Sequence, residues 1–368
     1  MYTLAMKILP VAKIPRIISS QAHELDCNIS IHDMSLALSN KDSKKQVVCI
    51  AGHPGSGRST YTQALVHEII SNGVVKDSEV LYFEVGQYDN VNSVWNTAID
   101  IGKASGDRDT VALLVSNVTT REAKLKATAS ILNHFKIVCF DCVSAANEEL
   151  LALLLTLVKK SKSNVICISN LKAPSYMNDA DVLIKMNGLC RHAVQCVIQE
   201  NIMVAVDSEE VERSCKSLLY NPKAVQLYVN HCNEFGIHEI TEEASISHLL
   251  ELMIWDRLTE IEKDALCQLS DLRQSLPMKS EVSTLERIVR MGLVSEKVIS
   301  EESTYHLVSM SNAVRDFVQA KGPLVSQLKA ADEKFSVLDC WTALLNEELM
   351  GLVNDARNNS WPFIPEKW

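Results

Sequence analysis

Between residues 46 and 197, short apolar runs alternate with longer segments in which apolar residues recur at spacings of three and four. The runs are QVVCIA, EVLYFEV, KIVCFD and NVICIS, with HAVQCVI as a weaker fifth, and each reads as a strand. Segments 60–71, 121–132 and 147–160 carry the helical spacing between them. Such alternation leaves few folds open, because parallel strands need a long crossover and its helices must cover both sheet faces. The expectation is an α/β domain built on a mostly parallel sheet. Only 86–118 is irregular: DNVNSVWNTAID reads as a helix, SGDRD as a turn, and TVALLV as either a strand or a buried helix.

Beyond residue 198 the strand signals thin out. SEEVERSCKSLL, NPKAVQLYVNHC and ISHLLELMIWDRL read as successive helices, the second opened by Asn221 as N-cap and Pro222 at the first helical position. TEIEKDALCQLSDL, SEVSTLERIVRMG and LVSEKVISEESTYHLVSM then give helix, helix and hairpin, followed by NAVRDFVQ, the order of a winged helix. Thr259 and Glu262 have the spacing of a capping box, and Gly292 is placed to end the second of those helices. A tail follows, helical to about Arg357 and closed by the proline-containing NNSWPFIPEKW. The predicted division is an N-terminal extension over 1–29, an α/β domain over 30–200, a helical lid domain over 201–256, a winged helix over 257–320 and a helical tail over 321–368.

A chain of 368 residues with 47% hydrophobic and 22% charged positions can fill such cores. Its net charge of -10 disfavours a surface that tracks a phosphate backbone throughout, so nucleic acid is a disfavoured partner. The longest apolar run, LLALLLTLV at 150–158, is too short to span a bilayer, and no membrane association is expected. Lys7 and Pro10 interrupt any secretory pattern at the N-terminus, which points to the cytoplasm or the nucleus. Eleven cysteines scattered through strand-like and helix-like segments suit reduced thiols. Cys139 and Cys142 have CxxC spacing, but an odd separation sends them to opposite strand faces and no second pair completes a metal shell.

One segment carries chemistry. GHPGSGRS, from Gly52 through His53, Pro54, Gly55, Ser56, Gly57 and Arg58 to Ser59, fits the P-loop pattern except that arginine replaces the lysine. A strand precedes it and a helix follows, so backbone amides and a helix N-terminus would face a polyphosphate. Gly55 and Gly57 would allow the required backbone angles, Ser59 would place its hydroxyl on magnesium, and Thr60 is the neighbouring hydroxyl. Arg58 keeps the positive charge in a bulkier, planar form, a change that spares binding more than turnover. Asp141, ending KIVCFD, is the expected magnesium-organising carboxylate. The next position, where a second acid would activate water, is Cys142, so no catalytic base can be named. Glu84, Asp107 and Arg108 are further polar positions near the sheet's carboxyl edge, equally explained by solvation.

Taken in order, GHPGSGRST, KIVCFDCV, NVICISN, YNPKAVQLYVN and the winged-helix stretch resemble the STAND class of AAA+-related NTPases, which includes the NB-ARC proteins. The resemblance covers roughly 30–320. It implies that Gly52, Gly57, Arg58, Ser59 and Thr60 form the phosphate loop, that Asp141 is the Walker B aspartate, and that Pro222 packs near adenine. It implies ATP or ADP with magnesium as cofactors. In that class an arginine commonly ends the strand matched by NVICISN, where this chain has Asn170, with Lys172 two residues on. The winged-helix histidine aligns with Val308, and His306 lies two residues earlier on the same strand face. The implied mechanism is a nucleotide-gated conformational and oligomerisation switch that works with protein partners or by self-association, here with weak or absent hydrolysis. Two alternatives stand beside it: an origin-recognition-like AAA+ protein that binds DNA, and a nucleotide-free interaction scaffold. Against the first, the recognition-helix candidate at 280–291 sets Arg287 and Arg290 against Glu281 and Glu286.

Overall fold

The computed structural model describes residues 25–39, 45–85, 90–141, 143, 146, 148–170, 180–202, 208–236, 240, 245–271, 276–279, 283–298 and 305–321. Two compact units are present among them. One holds the residues up to Ile198 together with Cys215–Val225, and the other Gln199–Ser214 together with those from Gln226 onward.

The first unit runs β1 (Leu25–Cys27), α1 (Ile31–Ser39), β2 (Val47–Gly52), α2 (Arg58–Ser71), β3 (Val80–Glu84), α3 (Val91–Ser105), α4 (Arg108–Val115), α5 (Arg121–Leu132), β4 (Ile137–Asp141), α6 (Glu148–Lys160), β5 (Asn164–Asn170), β6 (Val182–Leu189) and α7 (Arg191–Asn201). The strands form one sheet in the order β1-β6-β2-β5-β4-β3, parallel throughout except for β1, which pairs antiparallel with β6. This is a P-loop, AAA+-like α/β fold. Alternate residues of the same strands feed two apolar clusters. Leu81, Phe83, Val138, Phe140 and Val165 belong to one. Val48, Ile50, Tyr82, Ile137 and Ile166 belong to the other. A sheet buried on both faces needs apolar residues at nearly every position, which is why these runs read as continuous.

The connection pattern positions the site. From β2 the chain crosses to the far edge as β3, steps back through β4 and β5 to one flank of β2, and then passes to its other flank as β6. Such a reversal opens a crevice at the carboxyl end of the central strand, where ligands of open α/β sheets bind.

Several sequence expectations need correction. HAVQCVI is not a strand but lies within α7, with Ala193, Val194 and Ile198 buried. The strand beside β2 is instead VLIKMNGL, in which Ile184, Met186 and Gly188 are buried while Lys185 and Asn187 are exposed. β1 brings Leu25–Cys27 from the stretch assigned to the extension into the sheet, while TVALLV, open between a strand and a buried helix, is helical as part of α4 with only Leu114 buried.

Two further helices, α8 (Ser208–Ser217) and α9 (Pro222–Phe235), are divided between the units. The second unit continues with α10 (Ile246–Leu249), a π turn (Leu250–Ile254), a 3-10 turn (Trp255–Arg257), α11 (Glu260–Asp271), β7 (Leu276–Lys279), α12 (Ser283–Arg290), β8 (Val294–Val298), β9 (Tyr305–Met310) and α13 (Asn312–Lys321). The helices and hairpin follow the expected order, and β7 adds a third strand to an antiparallel sheet ordered β7-β9-β8. The capping box forms: Thr259 N–H and Oγ1 donate to Glu262 at 2.7 and 2.9 Å, and Glu262 N–H returns a bond to Thr259 Oγ1 at 3.2 Å. Gly292, with φ 73°, closes α12 by donating to Val289, while Leu293 donates to Ile288. Among the described residues no helix is long and apolar enough to cross a membrane. The tail expected at 321–368 lies outside the described residues except for Lys321.

Candidate functional site: a phosphate-binding loop

Strand β2 ends at Gly52 and α2 begins at Arg58, so five residues make the turn. A Cβ on Gly52 would lie 2.9 Å from Met186 Cβ and 3.0 Å from the Met186 carbonyl, so only glycine lets β2 and β6 approach this closely. The turn is drawn in by a Ser56 N–H to His53 carbonyl bond of 3.1 Å. Gly55 (φ 79°) and Gly57 (φ 93°) both occupy the left-handed region, as the sequence predicted. Gly57 is the N-cap and no side chain caps the helix there, so the first-turn amides face outward uncapped, the arrangement that suits an anion. Within the loop the Ser56 hydroxyl is buried, at 3% exposure, with no hydrogen-bond partner among the described residues. His53 is exposed and Pro54, Arg58, Ser59 and Thr60 are half-buried.

Ser59 and Asp141 lie together, with the Ser59 hydroxyl donating to Asp141 Oδ2 at 2.9 Å. Asp141 is 5% exposed at the end of β4. A second donor to that same oxygen, the Tyr82 hydroxyl, was not anticipated. Its origin is register: Tyr82 pairs with Cys139 and Glu84 with Asp141, so Tyr82 and Asp141 stand on one sheet face as a diagonal cross-strand pair. Nothing in the β3 sequence alone marks that position.

Arg58 does not lie loose over the loop, since its guanidinium donates to the Ser169 carbonyl near the end of β5. The charge is thereby fixed between the carboxyl ends of two adjacent strands. Asn170 ends the same strand, and Lys172 lies outside the described residues.

A second tie comes from Asn221, foreseen only as a helix cap. Its Oδ1 accepts from Lys223 N–H at 3.1 Å and Ala224 N–H at 3.2 Å, the capping role. Its Nδ2 also donates to the Pro54 carbonyl at 2.8 Å, so the residue beside Pro222 holds the glycine turn directly. The approach to it is strained: Leu219 and Tyr220 have φ of 52° and 54°, unusual for bulky residues. Tyr220 is held by the Leu189 N–H, which donates to its carbonyl at 2.8 Å, and Gly188 leaves the space for that carbonyl. Burial pushes the Lys223 ammonium down to about 8.

The remaining candidates divide. Asp107 is a helix cap, accepting from Thr110 N–H at 3.1 Å, and bonding to Thr110 holds its carboxyl below the usual range. Arg108 begins the helix that it caps. Glu84 and Asp141 are backbone partners across β3 and β4. Val308 is buried on β9, while the side chains of His306, Glu84 and Asn170, together with Cys142, lie outside the described residues. Cys139 is a buried free thiol. Among the described residues no group of three or more His, Cys, Asp or Glu side chains is placed to hold a metal unaided.

In the second unit the two arginines of α12 are already paired. Arg287 Nη1 reaches both oxygens of the buried Glu262 at 3.0 and 3.1 Å. Arg287 Nε also lies 3.5 Å from Glu234, and Arg290 Nη2 bonds Glu234 at 3.2 Å.

No protein-family model matches this sequence, and no curated protein matches it. Among solved structures, the chain is similar to a signal transduction ATPase with numerous domains (STAND) from Pyrococcus horikoshii that carries a tetratricopeptide repeat sensor. Identity is 17% and the TM-score 0.50, over 84% of this chain and 45% of that one, so this chain spans less than half of that protein's length. A weaker similarity is to the ORC2 protein of Aeropyrum pernix, at 13% identity and TM-score 0.36 over 79% of this chain and 93% of that one. The ORC1 protein of the same organism, in complex with DNA, scores 0.38 at 12% identity over 79% and 91%. These likenesses bear on fold alone.

Proposed function

We propose that the chain is a STAND-like nucleotide-binding regulatory protein, in which residues 52–60 cradle the phosphates of ATP or ADP and occupancy sets a conformational or assembly state. The observation that carries this reading is the loop itself: two left-handed glycines and an uncapped helix N-terminus at the sheet's switch point, with Ser59 and Asp141 hydrogen-bonded at its base. Uncapped amides with a helix dipole behind them are an anion site.

The donor set also fits magnesium. A serine hydroxyl and a carboxylate are hard oxygen ligands, and this ion binds through one or two such groups plus phosphates and water rather than a full protein cage. Ser59 and Asp141 would hold it, and when bound it would neutralise phosphate charge. Arg58 would present its remaining N–H donors to a phosphate while keeping its bond to Ser169. Asn221 would keep the loop shaped for binding through Pro54, and Pro222 would flank the nucleotide. With Cys142 where a second acid would stand, hydrolysis is expected to be slow or absent.

The DNA-binding alternative loses its clearest support, because Arg287 and Arg290 are committed to Glu262 and Glu234. Arg287 is held by a buried carboxylate, and the exposed Arg290 shares its charge with Glu234, so the helix offers little net positive charge to displace counterions from a duplex. We place the protein in the cytoplasm, working through self-association or protein partners. Sedimentation of the purified chain without nucleotide, with ADP and with ATP tests the switch. A nucleotide-dependent change in size or shape is expected, and superimposable profiles at saturating nucleotide would contradict it.

A further inference from the structure

We infer that Tyr82 is a positioning residue that limits how directly Asp141 can serve a divalent cation, so that nucleotide binding at this loop depends only weakly on magnesium. The inference rests on the nucleotide-binding reading above. A carboxylate oxygen offers about two acceptor positions. On Asp141 Oδ2 both are taken, one by the Ser59 hydroxyl at 2.9 Å and the other by the Tyr82 hydroxyl.

The Ser59 bond is compatible with a metal, because the hydroxyl can give its proton to Asp141 and its lone pairs to a cation. The Tyr82 bond is different. It comes from a phenol anchored in the neighbouring strand, points at the carboxylate from inside the apolar cluster of that sheet face, and contributes nothing to the cation. Hydrogen bonds to an ionised acceptor are the strong ones, and they draw charge from the oxygen they bind. Asp141 and Tyr82 are 5% and 8% exposed, so water has little opportunity to replace the phenol, and the bond persists when ligand enters. The carboxylate is therefore held in one orientation with Oδ2 filled without metal, and with charge drawn toward the phenol it is a poorer partner for the cation, even through Oδ1, than an aspartate bonded to serine alone.

The test is calorimetric titration of ADP into the full chain with magnesium chloride and again with EDTA, for wild type, Tyr82→Phe, Asp141→Asn and the double variant. For wild type the two affinities should agree within about twofold, whereas Tyr82→Phe should gain about fivefold with magnesium, the worth of one hydrogen bond of about 1 kcal/mol. Its affinity in EDTA should match wild type, and with Asp141→Asn already present the Tyr82→Phe change should shift the ratio no further. A Tyr82→Phe ratio equal to or below that of wild type would overturn the inference, as would wild-type binding that collapses in EDTA. Wild type that binds no ADP under either condition would instead remove the nucleotide-binding reading, and the inference with it. The near-ultraviolet circular dichroism of each variant reports whether its core is intact, and Tyr82→Trp, which also lacks the phenol, repeats the comparison should Tyr82→Phe fold poorly.

Discussion

Gly188 has φ 108°, and a Cβ there would sit 2.3 Å from the Tyr220 carbonyl, a backbone atom that cannot swing aside. Gly188→Ala therefore combines left-handed strain with a hard clash, and should cost about 2–3 kcal/mol. An unchanged urea midpoint would contradict this. Lys223 makes a second residue-scale prediction. Burial lowers its folded pKa from 10.5 to about 8, so between those values the unfolded chain holds the proton that the folded chain has released. Stability must then rise with pH across that window, with the burial penalty fully present below pH 8. The unfolding free energy of wild type relative to Lys223→Met should increase from about pH 8 to about pH 10. A flat difference would show that Lys223 is as solvated folded as unfolded. The glycine turn between β2 and α2 was readable at this scale because it is written in consecutive residues from Gly52 to Ser59, and Asp141 at a strand end because it closes an apolar run. Tyr82 and Asn221 were not, since their partners, Asp141 and the Pro54 carbonyl, lie 59 and 167 positions away and only register or tertiary packing joins them.

Caps and periodicities decide the outcome at the level of elements. Thr259 and Glu262 both hold the start of α11, but Glu262 is also the buried partner of Arg287. Thr259→Ala should thus cost about 1 kcal/mol, the usual worth of an N-cap. Glu262→Ala should cost about 3 kcal/mol, because it also removes the buried carboxylate that accepts from Arg287 Nη1 through both oxygens. Equal losses in chemical denaturation would show that the ion pair contributes little. Four of the six strands of the large sheet were legible because burial on both faces makes them continuously apolar. β6 escaped because only one of its faces is buried, so Lys185 and Asn187 break the run although its alternation has the right period. HAVQCVI was misread for the converse reason, β-branched residues in a short apolar run, where periodicity alone cannot separate a strand from a helix.

For the molecule as a whole, the order of elements carries more than any motif. The observed sheet order sets the loop at the switch point where a ligand site is expected. With a net charge of -10 and the α12 arginines engaged, duplex affinity should be no better than non-specific. A salt-sensitive complex tighter than about 10⁻⁸ M at physiological ionic strength would contradict that. The most direct test of the account is equilibrium binding of ADP and ATP to the purified chain by calorimetry, beside Arg58→Ala. Binding at about micromolar strength or better, weakened about tenfold or more in the variant, is the expected result for a guanidinium that touches phosphate. Folded protein that takes up neither nucleotide at millimolar concentration, or binding indifferent to Arg58, would contradict the assignment of this loop as a working nucleotide site.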